Sequence, residues 1–250
     1  MSGPQCAHNP PTLDPASGAG HVQQLGGLNT YVTGDQDSKL AVILLADAFG
    51  WEVPKLRKLA DKVAASGFLV VVPDFYYGDQ FTREKAGPGW VETHPPDRGC
   101  EDAKNIIAAL KSKCPKLELQ VFAGEVQAQC HSGLHHGGGK ARLCARCRSA
   151  PFASIERKLD EANSFQRPGE MMHQWQRAAL HGRGMVAVRL AKYDCIEAAV
   201  VLHPGPITVE EINEVKTPIA ILGAEIDHIA PPEMIKRLAD VLSSKPEARN

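Results

Sequence analysis

LAVILLADAFGWEVPKLRKLADKVAASGFLVVVPDF, residues 40–75, is the stretch that decides the fold. Its two ends, LAVILLA (40–46) and FLVVVPDF (68–75), carry continuous apolar runs, the second ended by Pro73, the pattern of strands covered on both faces. Between them Leu56, Leu59, Ala60, Val63 and Ala64 recur at helical spacing, and Gly67 stands where that helix should stop. Strand, helix, strand implies two parallel strands joined by a right-handed crossover.

The same grammar extends outward. EDAKNIIAALKSK (101–113) reads as an amphipathic helix with acids in its first turn and lysines in its last, as the helix dipole prefers. LELQVFAG (117–124) is a plausible strand. From about Met185, VAVRLAKYD is helical, IEAAVVLHPG (196–205) and TPIAILGAE are strands, and PPEMIKRLADVLSSK is a helix with proline near its first turn. The expectation is an α/β class fold with residues 40–46, 68–73, 196–202 and 218–222 parallel in one mostly parallel sheet.

Residues 125–184 differ in kind. They hold five of the ten histidines and three of the seven cysteines, but only six Val, Ile or Leu in sixty residues. GLHHGGGK and QRPGE are loop text, and a compact domain rarely carries so long a stretch with so little to bury. Cys144 and Cys147 form one Cys-x-x-Cys pair, which Cys130, His131, His135 and His136 could complete as a zinc site. The second pair is irregular and little apolar sequence surrounds it, so the expectation is a loosely packed insert with no closed metal site. GLHHGGGK has the wrong spacing for a phosphate loop, and a solvated loop accounts for Lys140, Arg142, Arg146 and Arg148.

Charge is nearly balanced, at −1, with no long run of one sign, so neither a nucleic acid nor a membrane is expected as partner. No secretory leader is visible in MSGPQCAHNPPTLDPASG, and no apolar stretch approaches a membrane span. The seven scattered cysteines suit a reduced, cytoplasmic chain better than a disulfide framework.

The most suggestive loop is ILGAEIDHIAPPE (221–233), where Asp227 follows a buried strand and precedes a helix. It reads either as a catalytic acid aimed into a cleft or as an ordinary loop aspartate capping that helix. His228 is its sequence neighbour, and adjacent side chains on an extended loop point apart.

Taken together, MSGPQC with NPPTL, GGLNTYVTG, LLADAFGWE, LRKLADKVAASGFLVVVPDFYYGD, EDAKNIIAALKSK, AKYDCIEAAVVLHPG and ILGAEIDHIAPPE resemble the dienelactone hydrolase family, above all its plant members. Some plant relatives of this kind are described as endo-1,3;1,4-β-glucanase-like. The resemblance covers about residues 1–113 and 185–248. It implies an α/β-hydrolase fold and a Cys-Asp-His triad, in which a thiolate on a Gly-x-Cys-x-Gly elbow attacks a small-molecule ester or lactone without a cofactor. It further implies Asp227 as the triad acid, Asp47 as an acidic position beside the thiol, and the Ala48 backbone N–H as an oxyanion donor. Gly78 stands where bacterial members carry a substrate-binding arginine.

The chain departs from that pattern at two points. Counting back from VAVRLAK places His181 at the nucleophile position, counting forward from VFAG places Val126 there, and no Gly-x-Cys-x-Gly or Gly-x-Ser-x-Gly occurs. The family's histidine follows a further strand beyond the PPEMIK helix, so the fold is expected to lack its C-terminal strand and helix. The expectation is one domain over residues 1–250, interrupted at 125–184 by non-exonic or frame-shifted sequence. It is a hydrolase by descent without nucleophile or triad histidine. The alternatives are a non-catalytic variant or aberrant splice product, or a zinc-binding insert.

Overall fold

The computed structural model describes residues 11–82, 84–85, 88–124, 174–202, 204–223, 227 and 229–245, with backbone alone for 88 and 174–181. The strands are β1 (His21–Leu25), β2 (Leu28–Thr33), β3 (Leu40–Leu45), β4 (Leu69–Pro73), β5 (Glu118–Ala123), β6 (Ala198–Leu202) and β7 (Ile219–Leu222). The helices are α1 (Pro54–Ala64), α2 (Pro88–Thr93), α3 (Pro96–Lys113), α4 (Gln174–Leu190), α5 (Val209–Asn213) and α6 (Pro232–Ser244).

One seven-stranded sheet runs in the order β1-β2-β4-β3-β5-β6-β7. The five strands from β4 to β7 are parallel, as the apolar runs predict, and β2 joins β4 antiparallel. The β1–β2 hairpin is an addition to the sequence reading. Leu25 pairs Leu28, which leaves Gly26 and Gly27 as a two-residue turn with φ of 55° and 87°. Positive φ at both central positions is what a turn matched to strand twist requires, and glycine adopts it without steric cost.

Alternation along β3 explains why its whole run is apolar. Val42, Leu44 and Ala46 face α1 through Leu56, Leu59, Ala60 and Val63. Ala41, Ile43 and Leu45 face the layer of α3, α4 and α6 through residues such as Ile106, Val186 and Leu238. Helix α1 ends as expected, with Gly67 at φ 91° donating its N–H to the Ala64 carbonyl.

Boundaries moved where proline or layering intervenes. Helix α3 begins at Pro96 rather than 101, because proline suits a first helical turn that needs no N–H. The helix expected over 186–194 ends at Leu190 and begins at Gln174, inside the stretch assigned to the insert.

Candidate active site

From β3 the chain crosses to β4 on one side, and β5 lies on the other. That reversal makes the crevice beyond the carboxyl ends of β3 and β5 the natural ligand position in a parallel sheet. Asp47 and Ala48 follow β3 directly, Asp74 to Gly78 follow β4, and Asp227 lies beyond β7. The topology therefore brings Asp47, Ala48 and Asp227 to one edge of the sheet. Since β7 is three places from β3, the two strand ends are separated by about 14 Å at ordinary strand spacing.

Each aspartate shapes its own turn. Asp47 is 3% exposed, and its Oδ1 accepts the Phe49 N–H at 2.9 Å while its carbonyl accepts the Gly50 N–H. Ala48 is fully buried, and its carbonyl accepts the Phe81 N–H. Asp227 is 4% exposed, and its Oδ1 accepts the N–H groups of Ile229 at 2.8 Å and Ala230 at 3.2 Å. It thus organises the loop into α6 but does not cap the helix, whose N-cap is Pro231.

Beside Asp47 lies a buried polar and aromatic cluster around Tyr76, which together with Tyr77 reads from sequence as pocket lining or, more commonly, as packing after a strand. Asp74 accepts the N–H groups of Tyr76 and Gly78, and burial raises its pKa against the lowering effect of those amides. Tyr76 packs on Trp90 and His94, and burial raises its pKa too, with Arg183 acting in the opposite sense. Of the pair Tyr76 and Tyr77, the first is core packing and the second is half exposed at φ 55°. His94 stacks on Trp90 at 4.5 Å and contacts the Trp90 carbonyl and Asp79, so its ring nitrogens serve that cluster. Beyond that pair, the sequence signal for this cluster is the spacing of Trp90 and His94, one helical turn apart.

The nucleophile counts fall differently. His181 lies within the backbone of α4, whereas Val126 and His228 are outside the described residues, as are Cys130, His131, His135, His136, Cys144 and Cys147. Among the described residues no three metal-ligating side chains gather. The described thiols are Cys100, Cys114 and Cys195. Cys100 is buried in α3, while Cys114 precedes β5 and Cys195 precedes β6, at the edge where the strands begin. Burial raises the pKa of both Cys100 and Cys195.

A cleft of about 510 Å³ lies elsewhere, between α3, the end of α4 and α5, lined by residues such as Arg98, Cys100, Arg189 and Glu211. None of Asp47, Ala48 or Asp227 reaches it. Its charges are largely matched, Arg189 to Asp97 and Glu211, Lys192 to Glu214, and Lys104 to Glu101. Among the described residues no helix is long and apolar enough to cross a membrane.

Residues 28–117 match the dienelactone hydrolase family. An endo-1,3;1,4-β-D-glucanase of Zea mays is 31% identical over 249 residues, 97% of this chain and 63% of the maize protein. A carboxymethylenebutenolidase homolog of Mus musculus is 31% identical over 103 residues, 39% of this chain and 42% of the mouse protein. The chain therefore spans less than two thirds of the length of either relative. In fold it is similar to a putative dienelactone hydrolase from Klebsiella pneumoniae, with TM-score 0.52 and 13% identity over 87% of this chain and 75% of that one. A dienelactone hydrolase-like promiscuous phosphotriesterase from metagenomic libraries gives TM-score 0.54 and 12% identity over 90% and 77%. At such identities the likeness shows the α/β-hydrolase fold.

Proposed function

We propose that this chain, whose residues 28–117 carry dienelactone hydrolase family sequence, descends from hydrolases of small-molecule esters or lactones and has itself lost thiol-dependent turnover. The observation that carries this reading is the backbone at His181, which is the interior of a helix rather than a strained strand-to-helix turn after β5. Asp47, Ala48 and Asp227 retain the acid, oxyanion and triad-acid positions that the resemblance assigns them. Neither Cys114 nor Cys195 can serve them from the opposite edge of the sheet. Cys100 is held in a helix, with burial favouring the thiol over the nucleophilic thiolate.

We read residues 1–250 as one domain interrupted over 125–184 by an insert whose last residues, from Gln174, run into α4, acting without a cofactor and residing in the cytoplasm. The free thiols of Cys100, Cys114 and Cys195 suit that compartment.

The test is turnover of p-nitrophenyl acetate and of a dienelactone, with and without iodoacetamide. Loss of the triad nucleophile alone lowers turnover about as much as loss of the whole triad, on the order of a million-fold, so no iodoacetamide-sensitive rate is expected above background. Thiol-sensitive turnover approaching that of an intact relative would overturn the reading. It would favour the second one, an active family hydrolase with a relocated cysteine, for which the match over 28–117 is the support.

A further inference from the structure

The exit of β4 is built to hold a guanidinium, and a residue from a distant part of the chain occupies it. Arg183, in α4, is 4% exposed. Its Nε donates to the Tyr76 hydroxyl at 3.1 Å and its Nη2 to the Phe75 carbonyl at 3.3 Å. The guanidinium carbon lies 4.3 Å from the centre of the Tyr76 ring and 5.1 Å from that of Phe75. Nη1 rests against α3 at Gly99, where a Cβ would come within 2.0 Å of it. Among the described residues Arg183 forms no ion pair with a carboxylate. The described contacts of the guanidinium are two acceptors and two aromatic faces, which suit a planar cation better than a compact one.

Three elements meet at this one side chain. Helix α4 supplies the arginine, the β4 exit supplies the receptor, and α3 supplies the glycine that makes room for it. One residue on, Gly184 packs against Val201 and the backbone of Pro204 and Gly205, so α4 lies between the ends of β4 and β6.

We infer that Arg183 is a positioning residue, an intramolecular ligand of a guanidinium receptor formed by Phe75, Tyr76 and Gly99, and that this contact holds α4 over the carboxyl edge of the sheet. Without the side chain, the receptor becomes a vacant site whose ligand class is a guanidinium or a similarly planar cation. The latch belongs to the fold and its test does not use turnover, so it stands or falls separately from the hydrolase reading.

The experiment compares Arg183→Ala, Arg183→Met and Arg183→Lys with the unaltered chain by thermal unfolding and by amide exchange of residues 182–190. Arg183→Ala is expected to lower Tm by roughly 5–10 °C, since two acceptors and two ring faces lose their partner. Exchange in α4 should rise with it. Millimolar methylguanidinium, far below denaturing concentration, should restore part of the Arg183→Ala loss in a saturable way, whereas urea and sodium chloride at equal concentration should not. Arg183→Lys, which keeps a charge and one donor direction, should retain more stability than Arg183→Met, which only fills the volume.

Arg183→Met as stable as the unaltered chain would mean that the side chain merely fills space, and the inference would fall. It would fall equally if Arg183→Ala folded normally and bound no methylguanidinium, or if Tm changed without any change in α4 exchange. If Arg183→Ala does not fold, the ranking of Lys over Met decides alone.

Discussion

Helices α1 and α4 lie on opposite faces of one sheet and are held there by different means. Helix α1 presents a single apolar stripe of Leu56, Leu59, Ala60 and Val63, with Lys55, Lys58 and Lys62 among its other residues. Helix α4 is buried through Val186, Ala187, Val188 and Leu190 in nearly unbroken succession, because the sheet lies on one side of it and α3 on the other. Each carries a buried arginine. Arg57 donates to the carbonyls of Trp51, Pro15 and Ser17 between the faces of Tyr31 and Trp51, tying the segment before β1 to α1. Arg183 ties a helix to the end of a strand far from it in sequence. The difference teaches that a one-sided helix advertises itself by its period, while a helix between two layers has no polar face to mark it.

The largest effects should come from the two hydrophobic layers. Leu44→Ala on β3 and Leu190→Ala on α4 remove side chains that are 1% and 0% exposed, and each is expected to cost about 2–5 kcal/mol in urea unfolding. Near-equal costs would mean that both faces unfold as one unit. A cost below about 1 kcal/mol for Leu190→Ala alone would break the comparison, since α4 would then be docked less firmly than its burial implies.

Next comes Arg57→Ala, which leaves three carbonyls without their donor and empties the space between two rings. A loss of about 2–3 kcal/mol is expected, with faster proteolysis between residues 11 and 20 as the specific sign. Arg57→Ala without altered cleavage there would show that the arginine serves α1 alone.

These contrasts explain how much was legible. The strands of 40–75 and 196–222 were readable because burial on both faces leaves continuous apolar runs. Asp47 and Asp227 were readable as strand-end acids, and the family resemblance assigned their roles. The β1 strand, HVQQL, was not, because an edge strand with only Leu25 fully buried carries little apolar signal. Arg183 was not either, since no local pattern tells a buried guanidinium from a solvated one until Phe75, Tyr76 and Gly99 converge on it. Tyr76 reads from sequence as packing or pocket lining, but its neighbours Trp90 and His94 arrive from another element.

Tyr77 offers a smaller test at the margin of that cluster. Its hydroxyl donates to Asp102 at 2.6 Å, and the other carboxylate oxygen of Asp102 is buried without a hydrogen bond. Tyr77→Phe should cost about 1–3 kcal/mol by leaving the buried carboxylate poorly solvated. Tyr77→Gly should cost less than its lost contacts suggest, since it releases a left-handed backbone at φ 55° worth about 1 kcal/mol. Equal losses in the two variants would mean that the backbone relief cancels the ring contacts, such as that with Arg98, which Tyr77→Gly also removes.

The smallest effect is a pH dependence, and it separates the strand-end acids from one another. Burial raises the pKa of Asp74, and the amides of Tyr76 and Gly78 offset this only in part. A carboxyl with a raised folded-state pKa binds its proton more tightly folded than unfolded. Its contribution to stability is therefore fully present below the unfolded pKa and is lost as pH rises through the folded one. Asp74→Asn keeps a neutral side chain at every pH, with a constant penalty because its NH₂ cannot accept from Gly78. The stability of the unaltered chain minus that of Asp74→Asn should then be greatest below the ordinary carboxylate pKa of about 4 and fall as pH rises through the raised folded-state pKa. Urea unfolding of both proteins at matched pH measures that difference directly. A difference that grew with pH would mean that the Tyr76 and Gly78 amides outweigh burial, and that this strand exit is organised around a charged carboxylate.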